Sequence, residues 1–265
     1  MGEAERRIDL KLKSVKVNEL DVHVFDGRDE MGKAAAEAAA GYINETIEEK
    51  GEVTVIFAAA PSQNELLENL ALADIDWTKV RALHMDEYVG LDDDNPAGFG
   101  NFLDRAIFLK KPFKEIHYIK CAEGETPELA IARYSDVLKE HPADVILLGV
   151  GENGHLAFND PSTADFNDPL PVKLVELEDV CRQQQVHDGC FPELNDVPKY
   201  AITLSMSLIS SVPRKITVVP GEKKAAAIDK LINGPVSIAC PASILKTCTG
   251  ADLYLDKDSA KPALL

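Results

Sequence analysis

Apolar residues fall into short blocks along the chain, set between longer segments in which they recur at helical spacing. Val53 to Ala59 is a β-branched run, closed by Pro61 and Ser62. Lys79 to Met85, Glu115 to Ile119 and Asp144 to Val150 repeat the theme, the last as a near-continuous apolar stretch of the kind buried on both faces of a sheet. Between them lie helical patterns over Asp29 to Lys50, over Ser62 to Leu72, over Phe99 to Leu109 and over Glu125 to Glu140. The second of these has Ser62-x-x-Glu65 available as a capping box. Ala201 to Leu204, Lys215 to Val219 and Asp252 to Leu255 are further strands, with a helix from Glu222 to Ile232.

Alternation of strand and helix predicts an α/β fold, a mostly parallel sheet with helices on both faces in the Rossmann-like manner. No repeat, low-complexity linker or composition break divides it, so residues 1–265 are read as a single domain.

Open sheets of this kind bind ligands beyond the carboxyl ends of their strands. Three such ends carry chemistry. The first is followed by Ser62, Gln63 and Asn64, whose helix start can offer N–H groups to an anion. The second is followed by Asp86 and Glu87, between Met85 and Tyr88, where a carboxylate can be desolvated into a better base; solvated loop acids are the alternative. The third is Gly149-Val-Gly-Glu-Asn-Gly-His155. Its glycines spell G-x-G-x-x-G, but it follows several βα units rather than opening the first, and it runs into Phe158-Asn-Asp-Pro161, a poor helix start. A dinucleotide site is therefore not expected. Gly151 and Gly154 instead let backbone pass close to a small ligand and present His155, with Asn153 and Asp160 near enough in sequence to orient its ring. Lys224, in Gly221-Glu-Lys-Lys224, is a cation at a helix start, where a phosphate would sit.

Charge narrows the partners. With 45 acidic against 28 basic residues the net charge is -17, which argues against a nucleic-acid surface but leaves room for a small phosphorylated ligand. The first thirteen residues are charged and lack the apolar core of a signal peptide, and no stretch approaches a membrane span. Five scattered cysteines show neither zinc nor disulfide spacing. A cytoplasmic protein is expected.

The segments Leu83-His-Met-Asp-Glu-Tyr-Val-Gly-Leu91 and Gly149-Val-Gly-Glu-Asn-Gly-His-Leu-Ala-Phe-Asn-Asp-Pro161 resemble the two main motifs of glucosamine-6-phosphate deaminases. Val197-Pro-Lys-Tyr-Ala201 and the Gly221 to Ala225 segment follow in family order, over roughly residues 20–257. The resemblance implies conversion of glucosamine 6-phosphate and water to fructose 6-phosphate and ammonia, without metal or organic cofactor, by a homo-oligomer. In it His155 would assist ring opening, Asp86 would move a proton between C2 and C1, and Ser62, Gln63, Asn64 and Lys224 would hold the phosphate. Glu87, Gly151 and Gly154 would belong to the substrate site.

Three departures stand out. Asn153 replaces a common Asp, Asp160 replaces a common Glu, and the place of a phosphate-binding arginine falls near His187. They keep two alternatives open: a lactonase or isomerase acting on another phosphosugar, as in 6-phosphogluconolactonases, and a non-catalytic phosphosugar-binding regulator.

Overall fold

The computed structural model describes residues 11–265. Most of the N-terminal segment read above as free of a targeting signal lies outside the described residues, as does the start of the domain. Strands β1 (Lys11–Val17) and β2 (Leu20–Phe25) form an antiparallel hairpin, and helix α1 (Arg28–Lys50) leads into β3 (Val53–Phe57). The chain continues through α2 (Asn64–Leu72), β4 (Val80–His84), β5 (Asp86–Tyr88), α3 (Phe99–Ala106), β6 (Glu115–His117), α4 (Pro127–Glu140) and β7 (Val145–Leu148). The remainder comprises β8 (Val172–Glu176), α5 (Asp179–His187), β9 (Tyr200–Leu204), α6 (Met206–Ser211), β10 (Arg214–Val219), α7 (Ala225–Asn233), β11 (Ala251–Asp256) and α8 (Lys257–Leu264).

Eight strands form the main sheet in the order β1-β2-β11-β10-β7-β3-β4-β6, parallel except for the β1–β2 hairpin. Its central strands are buried on both faces, which explains their uninterrupted apolar runs. Side chains from α1, α2 and α3 form a core on one face, including Met31, Leu66 and Leu103. Tyr134 of α4, Met206 of α6 and Ile228 of α7 belong to the core on the other. The α/β reading therefore holds, with helices on both faces.

Several local expectations are corrected. The strand at Ala201 to Leu204 does not join the parallel sheet; as β9 it is the centre of a separate antiparallel sheet, β5-β9-β8. The Asp86–Tyr88 segment, read as following a strand, is itself a strand of that small sheet, because the chain bends at Met85 and changes sheets. Ser62 does not cap α2. It lies within a 3-10 turn over Pro61–Gln63, and Glu65 pairs with Arg28 instead of reaching back. Packing decides this: Gly32 of α1 lies so close to Glu65 that an added Cβ would come within 2.4 Å of the Glu65 Cβ, which brings the acid to α1.

Candidate active site

The carboxyl ends of β3, β4, β7 and β10 surround a cavity of about 340 Å³, the size expected for a small-molecule site. Asp86 and His155, delivered by different strand ends, line this one cavity. Phe99 and Phe158 contribute an apolar wall, their rings 5.4 Å apart.

Asp86 is buried, and among the described residues its carboxylate makes no hydrogen bond or ion pair. Loss of solvent, with the neighbouring Glu87 charge adding to it, pushes its pKa well above the ordinary carboxylate value. A carboxylate in this state is a stronger base than one in water.

His155 is held on one side by a network. Its Nδ1 lies 2.8 Å from Asn153 Oδ1 and 3.2 Å from Asp160 Oδ1. The Asn153 amide donates through Nδ2 to Asp160 Oδ1 at 2.8 Å, so its oxygen must be the atom facing the ring, and Nδ1 carries the hydrogen. In the neutral ring the lone pair is then on Nε2. Asp160, fully buried, accepts the backbone N–H of Glu178 through its other oxygen at 3.1 Å. Burial alone would raise its pKa, but hydrogen bonds from His155, Asn153 and Glu178 outweigh that and hold it below the usual value. The shorter aspartate does reach the ring. Asn153 therefore does not leave His155 without a charge, since Asp160 lies beside the same nitrogen.

Glycine is required in this loop for two reasons. The His155 ring lies on the Cα of Gly151, where an added Cβ would sit 2.2 Å from Cε1. Gly154 has φ +88°, and an added Cβ there would meet Cys240 Sγ at 2.7 Å. Gly151 lines the cavity; Gly154 does not, and its role is to turn the backbone.

At another part of the wall lie Ser62, Gln63 and Lys224. Gln63 is fully buried and donates to Leu148 O and Ser62 Oγ, both at 3.3 Å, while its Oε1 has no partner among the described residues. Lys224 is 7% exposed and has no ion pair within 4 Å among the described residues. Burial pulls its pKa below the ordinary lysine value, offset in part by the fields of Asp188 and Glu152.

Besides Gly154, three residues expected at the substrate are placed elsewhere. Asn64 is exposed and lines a separate depression between α2 and α3. Glu87 turns away and accepts the N–H groups of Tyr88, Phe99 and Gly100 at 2.8 to 3.0 Å, so it serves as the anion at the start of α3. His187 is exposed, 3.6 Å from Glu152. The same helix supplies the cavity with Gln184 and Gln185, and Asp188 follows at its end. Their spacing, i, i+1 and i+4, marks one helical face from which position 187 diverges; that phase was the available signal. Arg28, at the start of α1, also lines the cavity. Its Nε and one Nη2 hydrogen engage Glu65 at 2.9 Å, and Nη2 also donates to Pro61 O at 3.0 Å, which leaves the Nη1 edge without a partner among the described residues.

Comparisons with known proteins agree with this architecture. The family described as Glucosamine-6-phosphate isomerases/6-phosphogluconolactonase matches residues 26–254. A glucosamine-6-phosphate deaminase of Listeria welshimeri is 36% identical over 211 residues, 79% of this chain and 88% of its own. One from Lactobacillus delbrueckii subsp. bulgaricus is 30% identical over 241 residues, 91% of this chain and 98% of its own. Among solved structures, a monomeric glucosamine-6-phosphate deaminase superposes with a TM-score of 0.80 at 25% identity, covering 91% of this chain and 98% of that one. The 6-phosphogluconolactonase of Trypanosoma brucei shares the fold, with a TM-score of 0.73 at 17% identity over 94% of this chain and 99% of that one. The chain belongs to the glucosamine-6-phosphate isomerase/6-phosphogluconolactonase family.

Proposed function

We propose that this protein is a glucosamine-6-phosphate deaminase, which converts glucosamine 6-phosphate and water to fructose 6-phosphate and ammonia. The observation that carries this reading is the shared cavity: a desolvated carboxylate and an imidazole with a free Nε2 reach it from two separate strand ends.

His155 acts first. Its Nε2 takes the proton of the anomeric hydroxyl and returns one to the ring oxygen as the C1–O5 bond breaks, which opens the pyranose. The imidazolium formed in between is stabilised by Asp160 at 3.2 Å. Asp86 then removes the C2 proton of the open aldehyde while the C2 ammonium passes a proton to the C1 oxygen, generating an enolamine, and Asp86 delivers its proton to C1. The resulting C2 iminium adds water and expels ammonia, leaving the ketone.

The phosphate is assigned to Lys224, Ser62 and the free edge of Arg28, all on the cavity wall. A buried ammonium with no ion pair among the described residues recovers, from an arriving phosphate, part of what burial cost it. The proposal also carries a cytoplasmic location, supported by five cysteines without disulfides, and a homo-oligomeric state. The solved monomeric relative is a contrary precedent for the latter, and sedimentation of the purified protein decides it.

Ammonia release from a panel of 6-phosphorylated amino sugars tests the reaction. Turnover of glucosamine 6-phosphate is expected. Hydrolysis of 6-phosphogluconolactone with no ammonia from any amino sugar would replace this proposal with the lactonase reading, and saturable binding without turnover would replace it with the regulator.

A further inference from the structure

A group of metal-ligating side chains lies at one edge of the main sheet, outside the cavity that Asp86 and His155 line. Strand β6 is that edge, and the period of two places Glu115 and His117 on the same face, with Ile116 packed into the core on the opposite one. Helix α4 covers the Glu115 face and ends beside it, where His141 is its C-terminal cap. The Tyr134 hydroxyl of that helix bonds His84 O at 2.7 Å and His117 O at 3.5 Å, which fixes helix against strand.

We propose that Glu115, His117 and His141 form a binding site for one divalent transition-metal ion of the zinc class. Their donor atoms all lie within 4.8 Å of one another, and Glu115 Oε2 is 3.0 Å from His117 Nε2. Two ligand atoms each about 2.0–2.1 Å from one ion stand at about this separation. The two imidazole rings face each other at 29°, their centroids 5.9 Å apart. All three residues are partly exposed, so an ion reaches them from solvent and keeps water on its remaining positions.

The carboxylate is already oriented. Arg81, its cross-strand partner, donates through Nε to Glu115 Oε2 at 2.9 Å and is itself buried, while Glu115 Oε1 has no partner among the described residues. A pinned carboxylate with a charged partner behind it is the usual support of a metal ligand. The His141 ring has no hydrogen-bond partner among the described residues. On binding, the ion takes one lone pair from each imidazole; any hydrogen that His117 Nε2 shares with Glu115 moves to Nδ1 or to solvent. Two imidazoles favour zinc, nickel or cobalt over calcium or magnesium, which prefer oxygen alone. The ion would clip the edge strand to the end of α4, outside the cavity that Asp86 and His155 line.

Zinc titration of the full-length protein by calorimetry tests this, alongside His117→Ala and His141→Ala. One zinc per chain is expected, with at least tenfold weaker binding in each variant. The thermal midpoint should rise with zinc in the parent protein alone. Circular dichroism of the two variants before zinc is added should match the parent, since both positions are partly exposed. Absence of zinc binding in the parent overturns the proposal. So does unchanged affinity in both variants, which would assign the ion elsewhere, such as the buried group of His155, Asp160 and Cys181.

Discussion

The imidazole of His155 rests on Gly151 with no room for a side chain between them: a Cβ at that glycine would fall 2.2 Å from Cε1 and 2.3 Å from Nε2. Gly151→Ala must therefore push the ring out of position. Loss of about a hundredfold in ammonia release is expected, the order that a misplacement of about 1 Å costs. The fold should survive, because the residue lines a cavity rather than filling the core. Unchanged turnover would show that the ring position is not used.

Asp86→Asn separates catalysis from stability. In the proposed reaction Asp86 is the base for the C2 proton, and its removal should cost about 10²- to 10⁴-fold in turnover. Its folded pKa lies above the unfolded value of about 3.9, so between those two values the folded state binds more protons than the unfolded state. Stability falls as pH rises through that window. Asp86→Asn removes this penalty, so its thermal midpoint should gain on the parent as pH is raised from 4 to 7. A difference independent of pH would contradict the raised pKa.

Lys224→Met should behave in a related way. The buried ammonium has a depressed pKa, so its charge costs stability at neutral pH, and the variant should unfold at a higher temperature. Its KM for the phosphosugar should nonetheless rise. A variant less stable than the parent would refute the first half of this prediction.

Arg28→Gln probes the free guanidinium edge. A charged hydrogen bond contributes about 1.5–3 kcal/mol, so KM should increase about 10- to 100-fold while kcat changes little. Glu65→Gln, which loosens the fork that aims Arg28, should give a smaller shift in the same direction. Equal KM values for parent and Arg28→Gln would remove Arg28 from the phosphate site.

Asn153→Asp tests how the histidine is supported. Reading the motif alone, restoring a carboxylate here should increase activity. In the structure the Asn153 amide donates to Asp160 at 2.8 Å, so the substitution faces two carboxylates against each other. No gain is expected, with about 1–3 kcal/mol of lost stability. Asp160→Asn should cost more turnover, since it removes the charge 3.2 Å from Nδ1. Enhanced ammonia release by Asn153→Asp would mean that Asp160 alone does not supply enough charge.

Much of this protein was legible from local pattern. The apolar runs of β3, β4 and β7 and the glycines after Leu148 identify strand ends, because burial on both faces and close backbone approach leave direct marks on composition. That carried the α/β fold class, and with it the attention to Asp86 and His155. The tertiary structure alone decided which polar side chains enter the cavity. Glu87 and Asp86 are adjacent and chemically alike, yet one is spent on the start of α3 and the other faces the ligand space, since alternate positions of a strand point to opposite sides. Arg28 reaches the wall only because Gly32 lets α1 close on α2, and Gln184 displaces His187 through helical phase. The small β5-β9-β8 sheet joins segments more than a hundred residues apart, and no local periodicity records a pairing of that kind.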